Sequence, residues 1–229
     1  MNELQNLRAS LLDKVNYDVN EARKCFNFIV GEDSCSAQRV NSINPKDYAD
    51  GVYICYNDGH NELYDDNNPK DDVRGIGLVV GSHSLCVSLR DIDDTKLTNR
   101  DDKSGYDKYI SDWDFARMDY DGAENTKHIQ EIGTDIKLAN GEYIPSLGEL
   151  YLIYLHKYKI NYALGYVHGK QIADEWYWSS TESSAGGAWG LYLGGAWGLY
   201  LGDGGQGNVS KASGQNRVRP VSAFIASTL

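Results

Sequence analysis

The stretch Trp176-Tyr177-Trp178-Ser179-Ser180-Thr181-Glu182, with Ala188-Trp189-Gly190-Leu191-Tyr192-Leu193 behind it, decides how this chain reads. It lies in a block of Gly, Ser, Trp and Tyr running from Trp176 to Gln215, whose plainest reading is a flexible, low-complexity loop. Two patterns oppose that. Trp189, Leu191 and Leu193 alternate as one face of a half-buried strand, and Val218, Val221 and Phe224 read as a buried final strand within the apolar run Val218 to Ile225. Trp176, Trp178 and Trp189 are therefore expected in the core framework first and in ligand contact second.

The same block holds a perfect tandem repeat. Gly186-Gly187-Ala188-Trp189-Gly190-Leu191-Tyr192-Leu193 is followed by the same eight residues from Gly194 to Leu201. In one uninterrupted strand both Trp-Leu-Leu sets would share a face, because eight is even. A two-residue hairpin at Gly194-Gly195 would put them on opposite faces. A close-packed sheet with a slot for one copy has no room for the second, so one copy is expected in the core and the other in a projecting hairpin or loop, exposing Trp189 or Trp197.

Working outward, Pro145-Ser146 begins a helix that ends near Gly165, with Leu147, Leu150, Tyr151, Tyr154, Leu155 and Tyr158 as its apolar side. Asn125-Thr126 caps a shorter helix to about Ile132. Before these, Asp91 to Gly122 reads as a long, irregular surface insertion rich in Asp. Short β runs at Gly51 to Tyr56, Ile76 to Val80 and Leu85 to Leu89, with turns at Asn57-Asp58-Gly59 and Gly81-Ser82, predict an antiparallel meander. The expected fold class is α+β, two helices packed on a small antiparallel sheet. An N-terminal helical segment (residues 1–44) precedes the domain at 45–229: Leu4, Leu7, Leu11, Leu12, Val15, Val19, Ala22 and Phe26 recur at three- and four-residue steps. That stripe docks on the main domain or pairs with its own copies, and at this length docking is the expectation.

Composition narrows function. The chain has 229 residues, with 22 Lys and Arg against 33 Asp and Glu for a net charge of −11. A phosphate backbone needs a basic stripe, so no nucleic-acid partner is expected. No apolar run approaches the ~20 residues of a membrane-spanning helix, so no membrane insertion is expected. Met1 to Val15 carries Glu3 and Asp13 and no apolar block of signal-peptide length, which predicts a chain made in a cytoplasm. Cys25, Cys35, Cys55 and Cys86 form no CxxC pattern and are expected as reduced, structural thiols.

Four ordered motifs carry a resemblance: Ile144-Pro145-Ser146-Leu147-Gly148-Glu149-Leu150, Trp176 to Glu182, Ala188 to Tyr192, and Arg217-Val218-Arg219-Pro220-Val221-Ser222-Ala223-Phe224. Together, over roughly Tyr48 to Phe224, they resemble the variable proteins of diversity-generating retroelements, in the formylglycine-generating-enzyme-like branch of the C-type lectin fold, particularly versions from gut Bacteroides and their phages. The resemblance implies a rigid lectin-type scaffold whose variable region, about 183–217, is rewritten by adenine-directed mutagenesis to present a binding face. The ligand-binding positions it implies are Ser183, Ala185, Gly186, Gly187, Gly202, Gln206, Val209, Ser210, Ala212, Ser213, Gly214 and Gln215, with Trp197 and Tyr200 of the second octapeptide as the aromatic anchor. The second octapeptide departs from the family pattern as an eight-residue insertion.

The expected function is non-enzymatic binding of a cell-surface protein or glycan receptor by a phage tail or fibre module located on the virion, with a homo-oligomer left open. Rival readings are a bacterial cell-surface adhesin of the same fold, or a formylglycine-generating-type enzyme. That enzyme uses a cysteine pair late in its chain, and no cysteine follows Cys86 here. His60, His83, His128, His156 and His168 show no metal-ligand spacing, and lectin-type calcium motifs are absent, so no cofactor and no metal are expected. The acidic runs Asp65, Asp66, Asp71, Asp72 and Asp91, Asp93, Asp94, Asp101, Asp102 read as solvated surface. Arg217 and Arg219, two apart on a strand, point the same way and are expected to fork onto carboxylates or carbonyls of the scaffold.

Overall fold

Two sheets are joined by a seven-residue crossing near the C-terminus, Asn216 to Ser222. The computed structural model describes residues 48–103, 109–193 and 206–225. The N-terminal helical expectation and the second octapeptide lie outside them. Within them the chain runs β1 (Gly51–Tyr56), β2 (Asn61–Leu63), β3 (Val73–Val80), β4 (His83–Ser88), β5 (Ile92–Thr95), α1 (Trp113–Ala116) and α2 (Gly122–Ile132). It continues through β6 (Glu142–Tyr143), α3 (Leu147–Tyr166), β7 (Trp176–Glu182), β8 (Gly187–Tyr192), β9 (Gln206–Ser210), β10 (Asn216–Val218) and β11 (Val221–Ser222). The class is mixed helix and sheet, as expected, but two sheets replace the single small one: β2-β1-β3-β4-β11-β6 and β5-β10-β7-β8-β9.

The expected meander is present in β1, β3 and β4, which pair antiparallel in turn. The expected final strand is broken. Arg219-Pro220 separates β10, which pairs with β5 and parallel to β7, from β11, which pairs with β4 and β6 of the other sheet. Proline has no N–H for a ladder, so the strand stops there and the chain changes sheets. Pro220 O still accepts from Ser88 N–H at 3.0 Å.

Arg219 sits at this crossing. Its side chain and that of Asp91 are both fully buried, with Nε 2.7 Å from Oδ1. Nη1 donates to Ser88 O (2.9 Å), Nη2 donates to Lys170 O (3.0 Å), and Tyr177 Oη donates to the other Asp91 oxygen (3.2 Å). Burial pushes the Arg219 pKa down from its ordinary value, and the Asp91 charge opposes that shift. Arg217, half-buried, also faces Asp91 and Asp93 at 3.7 and 3.6 Å, so both arginines serve the scaffold as expected. Asp91 is therefore a correction to the solvated-surface reading of the acidic runs. The segment that follows it is a correction to the surface-insertion reading: it supplies β5, and Leu97 and Thr98 are fully buried. Isolated apolar residues joined to the core singly leave no periodicity to read.

The long helix starts where expected. Ser146 is the N-cap in a capping box, its N–H donating to Glu149 Oε2 at 2.7 Å while Glu149 N–H donates to Ser146 Oγ at 3.4 Å. Its buried side is different. Leu147, Leu150, Ile153, Ile160, Ala163 and Leu164 pack on both sheets, while Leu155 and Tyr158 are exposed, because α3 is apolar nearly all round and its sequence selects no single face. The shorter helix begins earlier than expected, at Gly122, with Asp121 in the cap position. Asn125 and Thr126 are inside it and buried, donating to Asp119 Oδ2 (2.8 Å) and Gly122 O (2.7 Å).

The other face of the larger sheet carries the two described cysteines. Cys55 and Cys86 lie opposite Gly75 and Gly77 of the intervening strand β3, where a Cβ would come within 2.6 Å of Cys86 Sγ and 2.8 Å of Cys55 Sγ. Both thiols are buried on this face, and the neighbouring Cys86 thiol and burial push the Cys55 pKa up. Two strand spacings, about 9.5 Å between backbones, exceed the reach of a disulfide.

Removing the Arg219 side chain takes from the buried Asp91 carboxylate its nearest counter-charge and leaves only Lys170 and Arg217, each 3.7 Å away. Arg219→Ala should cost about 3 to 5 kcal/mol in denaturant unfolding, and an unchanged midpoint would refute a scaffold role. A second outcome concerns Glu149, whose pKa is pushed up to about 7 by burial, against hydrogen bonds from Ser146 and Tyr143. The folded state thus holds this proton more tightly than the unfolded chain, so the group's contribution is present at low pH and lost as pH rises from about 4.5 through about 7. Glu149→Gln should gain on the parent protein in melting temperature across that window, whereas a difference constant with pH would contradict the assignment.

Candidate ligand-binding face

Two turns rich in small residues meet at one end of the five-stranded sheet. The first joins β7 to β8, closed by Ser183 N–H donating to Gly187 O at 2.9 Å and Ser184 N–H to the same oxygen at 3.2 Å. The second follows β9, closed by Gly214 N–H donating to Ser210 O at 2.9 Å. Strand pairing sets them side by side, since Gly187 lies opposite Ser210 and Ala188 opposite Val209.

The candidate positions divide by depth. Ala185, Ser213 and Gln215 are exposed; Gly186, Val209, Ser210, Ala212 and Gly214 are half-buried; Ser183 and Gly187 are buried. Gln206 starts β9, and its side chain is outside the described part. Trp197, Tyr200 and Gly202 fall outside the described residues. Asn208, exposed on β9 with its side-chain oxygen against Gly187, was missed by sequence reasoning. Trp178 and Trp189 are framework as expected, each indole N–H donating to a backbone carbonyl, Thr95 O at 2.7 Å and Ile110 O at 2.8 Å. The first octapeptide forms β8, with Ala188, Leu191 and Leu193 in the core.

A polar clamp holds the turns from beneath. Lys211, the one charged residue between Gln206 and Gln215, is fully buried; its Nζ donates to the buried Glu182 carboxylate and to Lys103 O at 2.9 Å. Its backbone joins three segments: N–H to Gly186 O (3.1 Å), and O accepting from Leu97 and Thr98 N–H (3.0 and 3.2 Å). Asp101 completes the clamp by accepting from Ala212 N–H (3.0 Å) and Ser210 Oγ (3.1 Å). Lys211 could have been suspected from one signal, a lone charge inside a small-residue loop. Chemically, this arrangement is a rigid floor with short side chains above it. Among the described residues, no group of three or more His, Cys, Asp or Glu is arranged to hold a metal ion.

No family model matches the chain, and no curated protein matches it. Among solved structures it is similar to a fimbrial protein from Bacteroides ovatus, with 16% identity, a TM-score of 0.56, and coverage of 77% of this chain and 49% of that one. The likeness is one of fold, and this chain spans about half the length of that protein.

The clamp predicts an asymmetry. Lys211→Met leaves Glu182 buried without its counter-charge and should cost about 3 kcal/mol or more, while Ser213→Ala should change stability by less than about 0.5 kcal/mol. Equal losses in urea unfolding would contradict the division between clamp and presented residues.

Proposed function

We propose that this chain is a non-enzymatic binding protein, a variable protein of a diversity-generating retroelement on a C-type lectin-type scaffold, acting as a receptor-binding module of a phage tail or fibre. The observation that carries this reading is the pairing of the two turns: Ala185, Asn208, Ser213 and Gln215 stand exposed above a floor fixed by Lys211, Glu182 and Asp101. Such a design lets surface residues change while the backbone beneath them stays put, as diversification requires. The short side chains of this variant supply few buried anchors, so its affinity is modest unless Trp197 and Tyr200 contribute. The four sequence motifs support the retroelement family.

A second reading is a bacterial cell-surface adhesin, favoured by the fold likeness to a fimbrial protein. Both readings place a receptor at the same face, and the ligand is a protein or glycan on a cell.

Labelled protein added to intact Bacteroides cells should bind saturably. The double variant Ser213→Glu, Gln215→Glu should lose at least tenfold in affinity with its melting temperature unchanged, a loss of about 1.4 kcal/mol or more. Saturable binding that both substitutions leave untouched would place the receptor elsewhere. A phage carrying the chain on its tail would separate the first reading from the second, since antibody to the chain should label virions and block adsorption.

A further inference from the structure

Glu182 has a second neighbourhood. It lines a cleft of about 250 Å³ whose other walls, among the described residues, are Ile110, Asp119, Asp121, Asn125, Ser180 and Thr181, where the end of β7 meets the start of α2. The volume falls below the ~300 Å³ of the smallest drug-sized sites and suits a single side chain.

Three carboxylates face this space, and two of them are already committed. Asp119 accepts from Thr181 Oγ1 (2.6 Å), Asn125 Nδ2 (2.8 Å) and Asp121 N–H (2.9 Å), and Glu182 carries Lys211. Asp121 is different. It occupies the cap position of α2 without capping it, and its carboxylate has no hydrogen bond or ion pair among the described residues. Partial burial pushes its pKa up, and the charges of Asp119 and Glu124 push it the same way, which is the condition of a carboxylate among like charges with no cation beside it among the described residues. Ser180 supplies an independent sign. It is 1% exposed, it lines the same cleft, and its Oγ has no partner, although buried hydroxyls in folded proteins are nearly always bonded.

We propose that this cleft binds a primary ammonium on a short apolar chain, the end of a lysine side chain of a polypeptide ligand, with Asp121 as its counter-charge and Ser180 Oγ as an acceptor. An ammonium carries three donors in divergent directions, which suits acceptors on separate walls; a guanidinium prefers a flat carboxylate edge. Ile110 offers apolar surface to the methylenes. The acidic side chains do not form a metal-ion ligand set, and the neighbouring Lys211 on Glu182 is the same chemistry satisfied from within the chain. This site lies beyond the presenting face and does not depend on it.

The test is an amide NMR titration of the full ¹⁵N-labelled chain with Nα-acetyl-lysine methylamide. Saturable shifts are expected at Asn125, Ser180 and Thr181, with a dissociation constant in about the millimolar range. The norleucine analogue, which keeps the apolar chain and lacks the ammonium, should shift none of them. Asp121→Asn should weaken binding at least tenfold, and Ser180→Ala several-fold; the second variant carries the test if the first fails to fold. The proposal is overturned by absence of saturable shifts, by equal binding of the neutral compound, by tighter binding of the arginine analogue, or by calcium chloride saturating the same amides at lower concentration. Any of these leaves the cell-binding experiment unaffected, because that reads Ser213 and Gln215.

Discussion

A guanidinium and a carboxylate in direct contact, away from solvent, hold the two sheets in one frame. Arg219 lies at the point where the chain leaves one sheet for the other, and Asp91 lies between β4 of the first and β5 of the second. A buried pair of this kind contributes little net stability over a well-packed apolar substitute, since both charges lose their water. Its strength is selective. A compact arrangement that keeps one of these charges inside without the other is penalised, so the pair, with its bonds to Ser88, Lys170 and Tyr177, acts against mispacked alternatives more than it rewards the native state.

The same device recurs at smaller scale under the presenting turns. Lys211 brings a charge into a loop of small residues, finds Glu182 on β7, and with its backbone ties the 97–98 and 183–187 segments together. Loops of Gly, Ser and Ala ordinarily lose much conformational freedom on ordering and have few apolar contacts to offset it. Here polar bonds to Lys211 and Asp101 supply what the side chains do not, and the exposed positions add only a surface bond from Ser213 Oγ to Ser210 Oγ at 2.6 Å. Under the proposed function, such a face would tolerate substitution because its order comes from Lys211, Glu182 and Asp101 beneath it.

Local signals were legible in the sequence, and distant ones were not. Ser146 marked the start of α3, the apolar runs marked β1, β3 and β4, and the alternation of Trp189, Leu191 and Leu193 marked β8. The buried side of α3 was misread, because Leu155 is as apolar as the Ile153 and Ile160 that took the core and the ring of Tyr158 is largely so. Asp91 and Lys211 were misjudged or missed for another reason: a charge looks solvated until its partner is known, and the partners Arg219 and Glu182 are far away along the chain. Asn125 and Thr126 carried the chemistry of a cap and were used for buried bonds to Asp119, Gly122 and Ile144. Of the candidate face, position along the chain was readable, but depth was not, since Ser183 and Ser213 look alike in sequence and differ in burial only through the turn each occupies.

The central claim is that framework and presented residues are interleaved in one segment yet energetically separate. Saturation mutagenesis of residues 183–187 and 207–217, read by protease resistance of the displayed chain, tests it most directly. The account predicts near-complete tolerance at Ala185, Asn208, Ser213 and Gln215, with intolerance at Lys211 and at Gly214, where a Cβ would press on Val209 and Trp178. A Lys211 as freely replaced as Ser213, or exposed positions as restricted as Lys211, would contradict it.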